Sequence, residues 1–120
     1  MIFEIKDYPA MHAAIAELCD TLQKSSVPSE RVFDSKLVIS ELVGNVLRHT
    51  DGKATLRGEI NGEFIELTIH SSVAFLPPEK SRPADVYAES GRGLFLVDSV
   101  SEERSCTKDG EIRVRIKMNK

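Results

Sequence analysis

The sequence predicts a two-layer α+β sandwich, with helices packed on one face of a mainly antiparallel, mixed β-sheet. Two long stretches in the first half of the chain place apolar residues at helical spacing. Later segments alternate apolar and polar residues, as a sheet covered on one face requires. The predicted order is β-α-α-β-β-loop-α-β-β, and separate runs of helices and hairpins favour this fold class.

The helical layer follows from apolar spacing. After an alternating strand at residues 2–6, a helix is expected to start near Pro9, which suits a first helical turn, and to run to about Lys24. A longer helix is expected from about Ser29 to about Arg48. Its apolar residues cover more than one stripe, which predicts a largely buried helix.

The sheet follows from two hairpin signals. Strands are expected at about 53–60 and 63–70, joined by an Asn-Gly turn at 61–62, which is the strongest short-range hairpin signal. A final hairpin is expected to pair 103–107 with 111–118. The sequence therefore predicts that these strands form most of the sheet.

Residues 71–92 separate the hairpins and have no hydrophobic period. They contain three prolines and several small residues, which predicts a long loop. Loops of this length in compact domains are often functional lids. A short helix from Gly93 to about Val100 is expected to follow.

Composition limits the class of protein. A chain of 120 residues with 41% hydrophobic and 29% charged residues suits one globular domain over 1–120. The net charge of −3 argues against nucleic acid as a direct partner. Neither a signal peptide nor a run of roughly 18 apolar residues appears, so a cytoplasmic protein without a membrane partner is expected. Cys19 and Cys106 are then expected to be reduced thiols, and no structural zinc spacing is present.

Two polar residues interrupt the apolar pattern of the second helix. Glu41 and Asn45 are four residues apart, so both project from one helical face, with His49 near the same stripe. Burying a carboxylate and an amide costs free energy unless something binds them. Two interpretations are open: a ligand site, or a structural arrangement in which Glu41 bonds Arg48 or caps a nearby backbone group.

A second signal lies where the long loop meets the short helix, at residues 90–94, SGRGL. Glycines let the backbone approach a ligand closely, and a helix N-terminus favours an anion such as phosphate. Such a segment on its own is more often only a turn.

Together the two signals resemble motifs of the GHKL ATPase superfamily. Residues 37–50, LVISELVGNVLRHT, resemble its N-box, and residues 90–100, SGRGLFLVDSV, resemble its second glycine box. The order and separation of the boxes are most similar to the anti-sigma-factor serine/threonine kinases of bacterial partner-switching systems. The resemblance covers about residues 10–118 and implies the GHKL-type ATPase fold.

The resemblance implies roles for individual residues. Asn45 matches the asparagine that coordinates the Mg²⁺ ion bridging the phosphates of ATP. Glu41 matches the catalytic general base that acts on a serine of a partner protein. Residues 71–92 match the lid over the nucleotide. The residues implied to bind the cofactor are Asn45, His49, Ser71, Gly91, Arg92, Gly93 and Leu94.

One motif of the superfamily, Asp-x-Gly-x-Gly, is absent. Its aspartate accepts a hydrogen bond from the adenine amino group, but residues 69–75 contain neither aspartate nor glycine. Ser71 is the expected occupant of the aspartate position, and a shift of one residue would place His70 or Ser72 there. Losing a charge-assisted hydrogen bond costs about 1.5–3 kcal/mol, which predicts weakened ATP binding or none.

Three functional interpretations follow. The first is an ATP-dependent serine/threonine kinase and anti-sigma regulator that would bind an anti-sigma-factor antagonist protein, a sigma factor, or both. The second is a non-catalytic protein-binding switch of the same fold, and the third is a structural domain in which Glu41 and Asn45 are satisfied internally. Association into a homodimer is left open.

Overall fold

The computed structural model describes residues 1–50, 52–72, 95–106 and 111–118. Within these ranges the predicted order of elements is confirmed, and residues 95–100 are also helical. The remaining elements are β1 (Ile2–Ile5), α1 (Tyr8–Lys24), α2 (Ser29–His49), β2 (Ala54–Asn61), β3 (Phe64–Ser71), β4 (Glu103–Cys106) and β5 (Glu111–Lys117).

The strands form one five-stranded sheet in the order β1-β2-β3-β5-β4. Each neighbouring pair is antiparallel. The α+β sandwich on a mainly antiparallel sheet is therefore confirmed. The described strands contain no parallel pair, so the parallel component expected of a mixed sheet is not among them.

The hairpin between β2 and β3 forms one residue later than predicted. Asn61 pairs with Phe64, so the two loop residues are Gly62 and Glu63 instead of Asn61 and Gly62. Gly62 has φ +63°, which glycine adopts without a steric penalty. Glycine at the first loop position is typical of a type II′ turn, whose twist matches that of the flanking strands.

One face of the sheet is buried beneath the helices. Along β3, alternate side chains from Ile65 to Ser71 are buried and those between them are half-buried. Helix α2 packs against β2, β3 and β5, while α1 packs against β1 and α2. Leu18 of α1 approaches β2 closely, because its Cδ1 lies 2.9 Å from where a Cβ of Gly58 would be. No described helix combines the length and apolar character needed to cross a membrane.

Local sequence explains where the first helix starts. The Asp7 side chain accepts a hydrogen bond from the backbone N–H of Ala10 at 2.8 Å, and Pro9 occupies the first turn. This N-cap places the start at Tyr8, one residue before the predicted start. Helix α2 begins after Pro28 without a side-chain cap and ends at His49, one residue beyond the expected end.

Both cysteines are free thiols in different surroundings. Cys19 lines a groove between α1 and α2, and burial raises the pKa of its thiol, with Lys36 partly opposing the shift. Cys106 is exposed.

Because the thiolate is the reactive form, we expect Cys19 in a Cys106→Ser variant to react with iodoacetamide more slowly near neutral pH than Cys106 in a Cys19→Ser variant. The Cys19 rate should keep rising at pH values above the ordinary thiol pKa, and equal rates at neutral pH would contradict this assignment.

Candidate functional site

The C-terminal ends of α2 and β3 meet at one end of the molecule. The Thr50 hydroxyl caps α2 by donating to the Val46 carbonyl at 2.8 Å, and its oxygen accepts a hydrogen bond from the backbone N–H of Gly52 at 3.1 Å. The Lys53 N–H donates to Ser72 Oγ at 2.7 Å, and the Ser72 N–H donates to the Lys53 carbonyl at 2.8 Å. These reciprocal bonds join the start of β2 to the end of β3. Because only three residues separate Thr50 from Ala54, the Cα atoms of these two residues are no more than roughly 14 Å apart.

Two of the predicted site residues lie on successive turns of α2. Asn45 is buried, with 1% of its surface exposed, and Glu41 is half-buried. The Asn45 Oδ1 accepts a hydrogen bond from Nη2 of Arg48. The structural interpretation that pairs Glu41 with Arg48 is therefore wrong. Within the described part of the chain, no side chain bonds to the Glu41 carboxylate.

Of the three residues considered for the aspartate position, Ser71 is the one that faces the helices. Ser71 is 3% exposed and lies opposite the buried Ala54 of β2. His70 belongs to the other face of the sheet, opposite Thr55. The exposed Ser72 uses its hydroxyl to accept the Lys53 N–H. The register therefore favours Ser71 over His70 and Ser72 for the aspartate position.

The remaining predicted site residues divide into two groups. His49 is exposed at the last position of α2, one turn after Asn45. Gly91, Arg92, Gly93 and Leu94 lie outside the described residues, as do residues 73–92 of the predicted lid. The structure thus places Asn45 and His49 in the last turns of α2, and Ser71 at the end of β3, opposite Ala54 at the start of β2.

The helical residues 95–100, which continue the predicted glycine box, are fixed to the sheet. Val97 is fully buried in the core. The Asp98 carboxylate accepts two hydrogen bonds from Arg104 of β4, from Nε at 2.7 Å and from Nη2 at 3.2 Å. Bidentate pairs of this kind define orientation as well as distance. This segment is therefore held against the edge of the sheet.

The sequence interpretation missed a role for Gly44. A Cβ at this position would lie 3.3 Å from Nη1 of Arg48, so the glycine leaves space for the guanidinium beside Asn45. Two local signals were present. A glycine inside a helical pattern costs about 1 kcal/mol relative to alanine, and residues three apart on a helix, such as Asn45 and Arg48, are neighbours.

The oxygen atoms of this site fit a magnesium ion. Mg²⁺ prefers carboxylate and amide oxygens, and it commonly takes one or two protein ligands together with phosphates and waters. The Asn45 Oδ1 is a ligand of this kind, and the Glu41 carboxylate lies on the same helical face. Among the described residues, no group of three or more His, Cys, Asp or Glu side chains forms a site for another metal.

A groove of about 500 Å³ between α1 and α2 is separate from this site. Its lining includes Met11, Val32 and Phe33, and Phe33 is 64% exposed. None of the predicted site residues lines it. The groove is therefore not the nucleotide site that the motifs predict.

Comparison with known proteins shows the family of the chain. The family model for the histidine kinase-like ATPase domain matches residues 6–119. Among solved structures, the chain is similar to the Erythrobacter litoralis EL346 blue-light activated histidine kinase, with a TM-score of 0.59 and 23% identity. That match covers 78% of this chain and 34% of the histidine kinase, so it supports the fold alone. No curated protein matched. Since the family match contains both motif segments and the fold agrees, the chain belongs to the histidine kinase-like ATPase domain family of the GHKL superfamily.

Proposed function

We propose that this chain binds ATP with Mg²⁺ and acts as a serine/threonine kinase-like anti-sigma regulator. The observation that carries the proposal is the placement of Glu41 and Asn45 on one face of α2, inside a segment that the family match includes. Burying the Asn45 amide, which is 1% exposed, costs free energy unless its polar atoms bond to a ligand or to an internal partner. The partner seen here, Arg48, is itself an exposed residue.

The chemistry requires little from the protein beyond position and charge. Phosphoryl transfer depends mainly on aligning the reacting groups and stabilising charge. When bound, Mg²⁺ neutralises the charge of the nucleotide phosphates. Asn45 would hold the ion through Oδ1, and Glu41 would accept the proton from the hydroxyl of the acceptor serine. The half-buried position of Glu41 leaves its carboxylate accessible to a partner protein.

The partners in this proposal come from the sequence resemblance. They are an anti-sigma-factor antagonist protein, which would carry the acceptor serine, and a sigma factor. Binding of both would occur in the cytoplasm, where ATP is available. The non-catalytic protein-binding switch is the second candidate. The specific observation in its favour is that residues 69–75 contain no aspartate, with Ser71 as the proposed occupant of the superfamily's aspartate position.

Thermal unfolding with Mg-ATP, with Mg-ADP and without nucleotide tests the proposal. A ligand that binds only the folded state raises the midpoint, and a concentration of 100 times Kd contributes about 2.7 kcal/mol. We expect Mg²⁺ and nucleotide together to raise the midpoint, and Asn45→Ala to remove most of the rise. A midpoint that no nucleotide changes, at millimolar concentration, would reject ATP binding and leave the protein-binding switch.

Replacing Ser71 with aspartate tests the adenine contact. Without nucleotide, the new carboxylate is buried and should lower the free energy of unfolding by about 1–3 kcal/mol. ATP offers its amino group as a donor, so ATP affinity should rise by roughly ten- to a hundredfold in Ser71→Asp. GTP should gain nothing, because guanine presents a carbonyl oxygen at that position.

Calorimetric titration of wild type and Ser71→Asp with ATP and GTP measures this difference. Ser72→Asp is the matched control, since it adds the same charge at the exposed neighbouring position. Equal gains for ATP and GTP, or an equal gain in Ser72→Asp, would mean that Ser71 does not face the adenine.

A further inference from the structure

Arg48 folds back along α2 and occupies the oxygen that the proposed metal site needs. Its Nη2 donates to Oδ1 of Asn45, one turn earlier on the helix. Oδ1 is the amide's ligand atom, because the amide nitrogen carries hydrogens and does not bind cations. Hydrogen bonds from a charged donor are stronger than neutral ones. The donor that bonds Oδ1 of Asn45 is thus a cation.

Gly44 provides the space for this contact. A Cβ on Gly44 would lie 3.3 Å from Nη1 and 3.9 Å from Cζ of Arg48. No other described group lies within 4 Å of that position, apart from the backbone of α2 and the adjoining residues. A glycine inside a helix costs about 1 kcal/mol relative to alanine. The glycine is therefore unfavourable for α2 itself, and the only described neighbour that benefits from it is the Arg48 guanidinium.

We propose that Arg48 is a guard on Asn45: it occupies Oδ1 in the free protein and must leave before Mg²⁺ can bind there. This inference rests on the proposed function, because it concerns the same metal and nucleotide. A guanidinium and a magnesium ion repel each other at contact distance, and Arg48 already uses one of the two lone pairs of Oδ1. Since Arg48 is exposed, its side chain regains water when it leaves. The guard lowers Mg-nucleotide affinity and does not abolish it.

Two variants release the guard in different ways. Arg48→Met removes the donor and its charge together. Gly44→Ala leaves the charge in place and only crowds the folded-back guanidinium. Arg57→Met is the matched control, since it removes an exposed arginine from β2, away from α2.

Calorimetry with ATP, in the presence and absence of Mg²⁺, measures how much the metal increases ATP affinity. Loss of the hydrogen bond predicts that this increase is roughly two- to tenfold larger in Arg48→Met than in wild type. Gly44→Ala should shift the increase in the same direction, because the added Cβ lies 3.3 Å from Nη1 and weakens the contact. Arg57→Met should match wild type. Gly44→Ala keeps the charge of Arg48. If it also shows a larger Mg²⁺ effect than wild type, the effect comes from the weakened hydrogen bond and not from loss of charge.

The outcomes distinguish this inference from the proposed function. If wild type binds Mg-ATP and both variants show an unchanged or smaller Mg²⁺ effect, Arg48 is not a guard, and the proposed function stands. If no protein, wild type or variant, binds Mg-ATP, the proposed function and the guard are both rejected. Circular dichroism verifies that each variant folds. If Gly44→Ala does not fold, the result for Arg48→Met tests the inference.

Discussion

Asn45→Ala is expected to weaken Mg²⁺-dependent ATP binding by at least about tenfold, while Glu41→Gln leaves ATP affinity almost unchanged. Even residues that only orient a metal ligand contribute about 10–100-fold to metal affinity, and Asn45 is proposed as a ligand itself. Glu41→Gln preserves the size of the side chain but removes its ability to take a proton. Its effect should appear in the single-turnover rate of phosphoryl transfer, where a general base contributes roughly 10²–10⁴-fold.

Calorimetric titration with Mg-ATP and single-turnover assays separate the two roles. Asn45→Ala is a clean test of binding, because alanine is a good helix former and Arg48 stays exposed to water when its partner is lost. The unfolding midpoint without nucleotide should therefore change little. Equal losses of ATP affinity in the two variants would contradict the assigned roles of Glu41 and Asn45.

Leu67→Ala is expected to cause the largest loss of stability, because Leu67 is fully buried at the centre of the sheet. It lies between Gly58 of β2 and Val114 of β5, beneath the helices. Removing a buried leucine side chain costs about 2–5 kcal/mol from the lost burial and the cavity left behind. Domains of this size have a total stability of only about 5–15 kcal/mol.

Thr68→Ala is the matched control, since Thr68 is the next residue on β3 and points to the opposite, half-buried face. Its change in the free energy of unfolding should be smaller than about 1 kcal/mol. Urea denaturation followed by circular dichroism measures both values. A loss in Thr68→Ala as large as that in Leu67→Ala would show that both faces of the sheet are buried.

Features that depend on residues close in sequence were predicted well. The helices follow from the spacing of their apolar residues, and their ends differ from the predicted ends by at most one residue. The hairpin at 61–62 was predicted one residue too early, because an Asn-Gly pair and a Gly-first turn satisfy the same alternation of apolar residues. Only the pairing of Asn61 with Phe64 distinguishes the two turns.

In the candidate site, too, one feature was predicted from residues close in sequence and another was not. The shared face of Glu41 and Asn45 follows from their spacing of four residues. The partner of Arg48 was predicted wrongly, since Glu41 is seven residues away, about 10.5 Å along the helix axis, while Asn45 is one turn away. Whether the guanidinium turns inward also depends on the space at Gly44, which the helical pattern does not reveal.

The sequence by itself determined the elements, the buried face of α2 and the shared face of Glu41 and Asn45, because each depends on a local period. Only the tertiary structure decided the strand order β1-β2-β3-β5-β4 and the side of the sheet that Ser71 faces. Strand order and register arise from pairing between segments distant in the chain, and a shift of one residue moves a side chain to the other face. The register agrees with the sequence expectation of Ser71: His70 lies on the other face of the sheet, and the exposed Ser72 bonds Lys53.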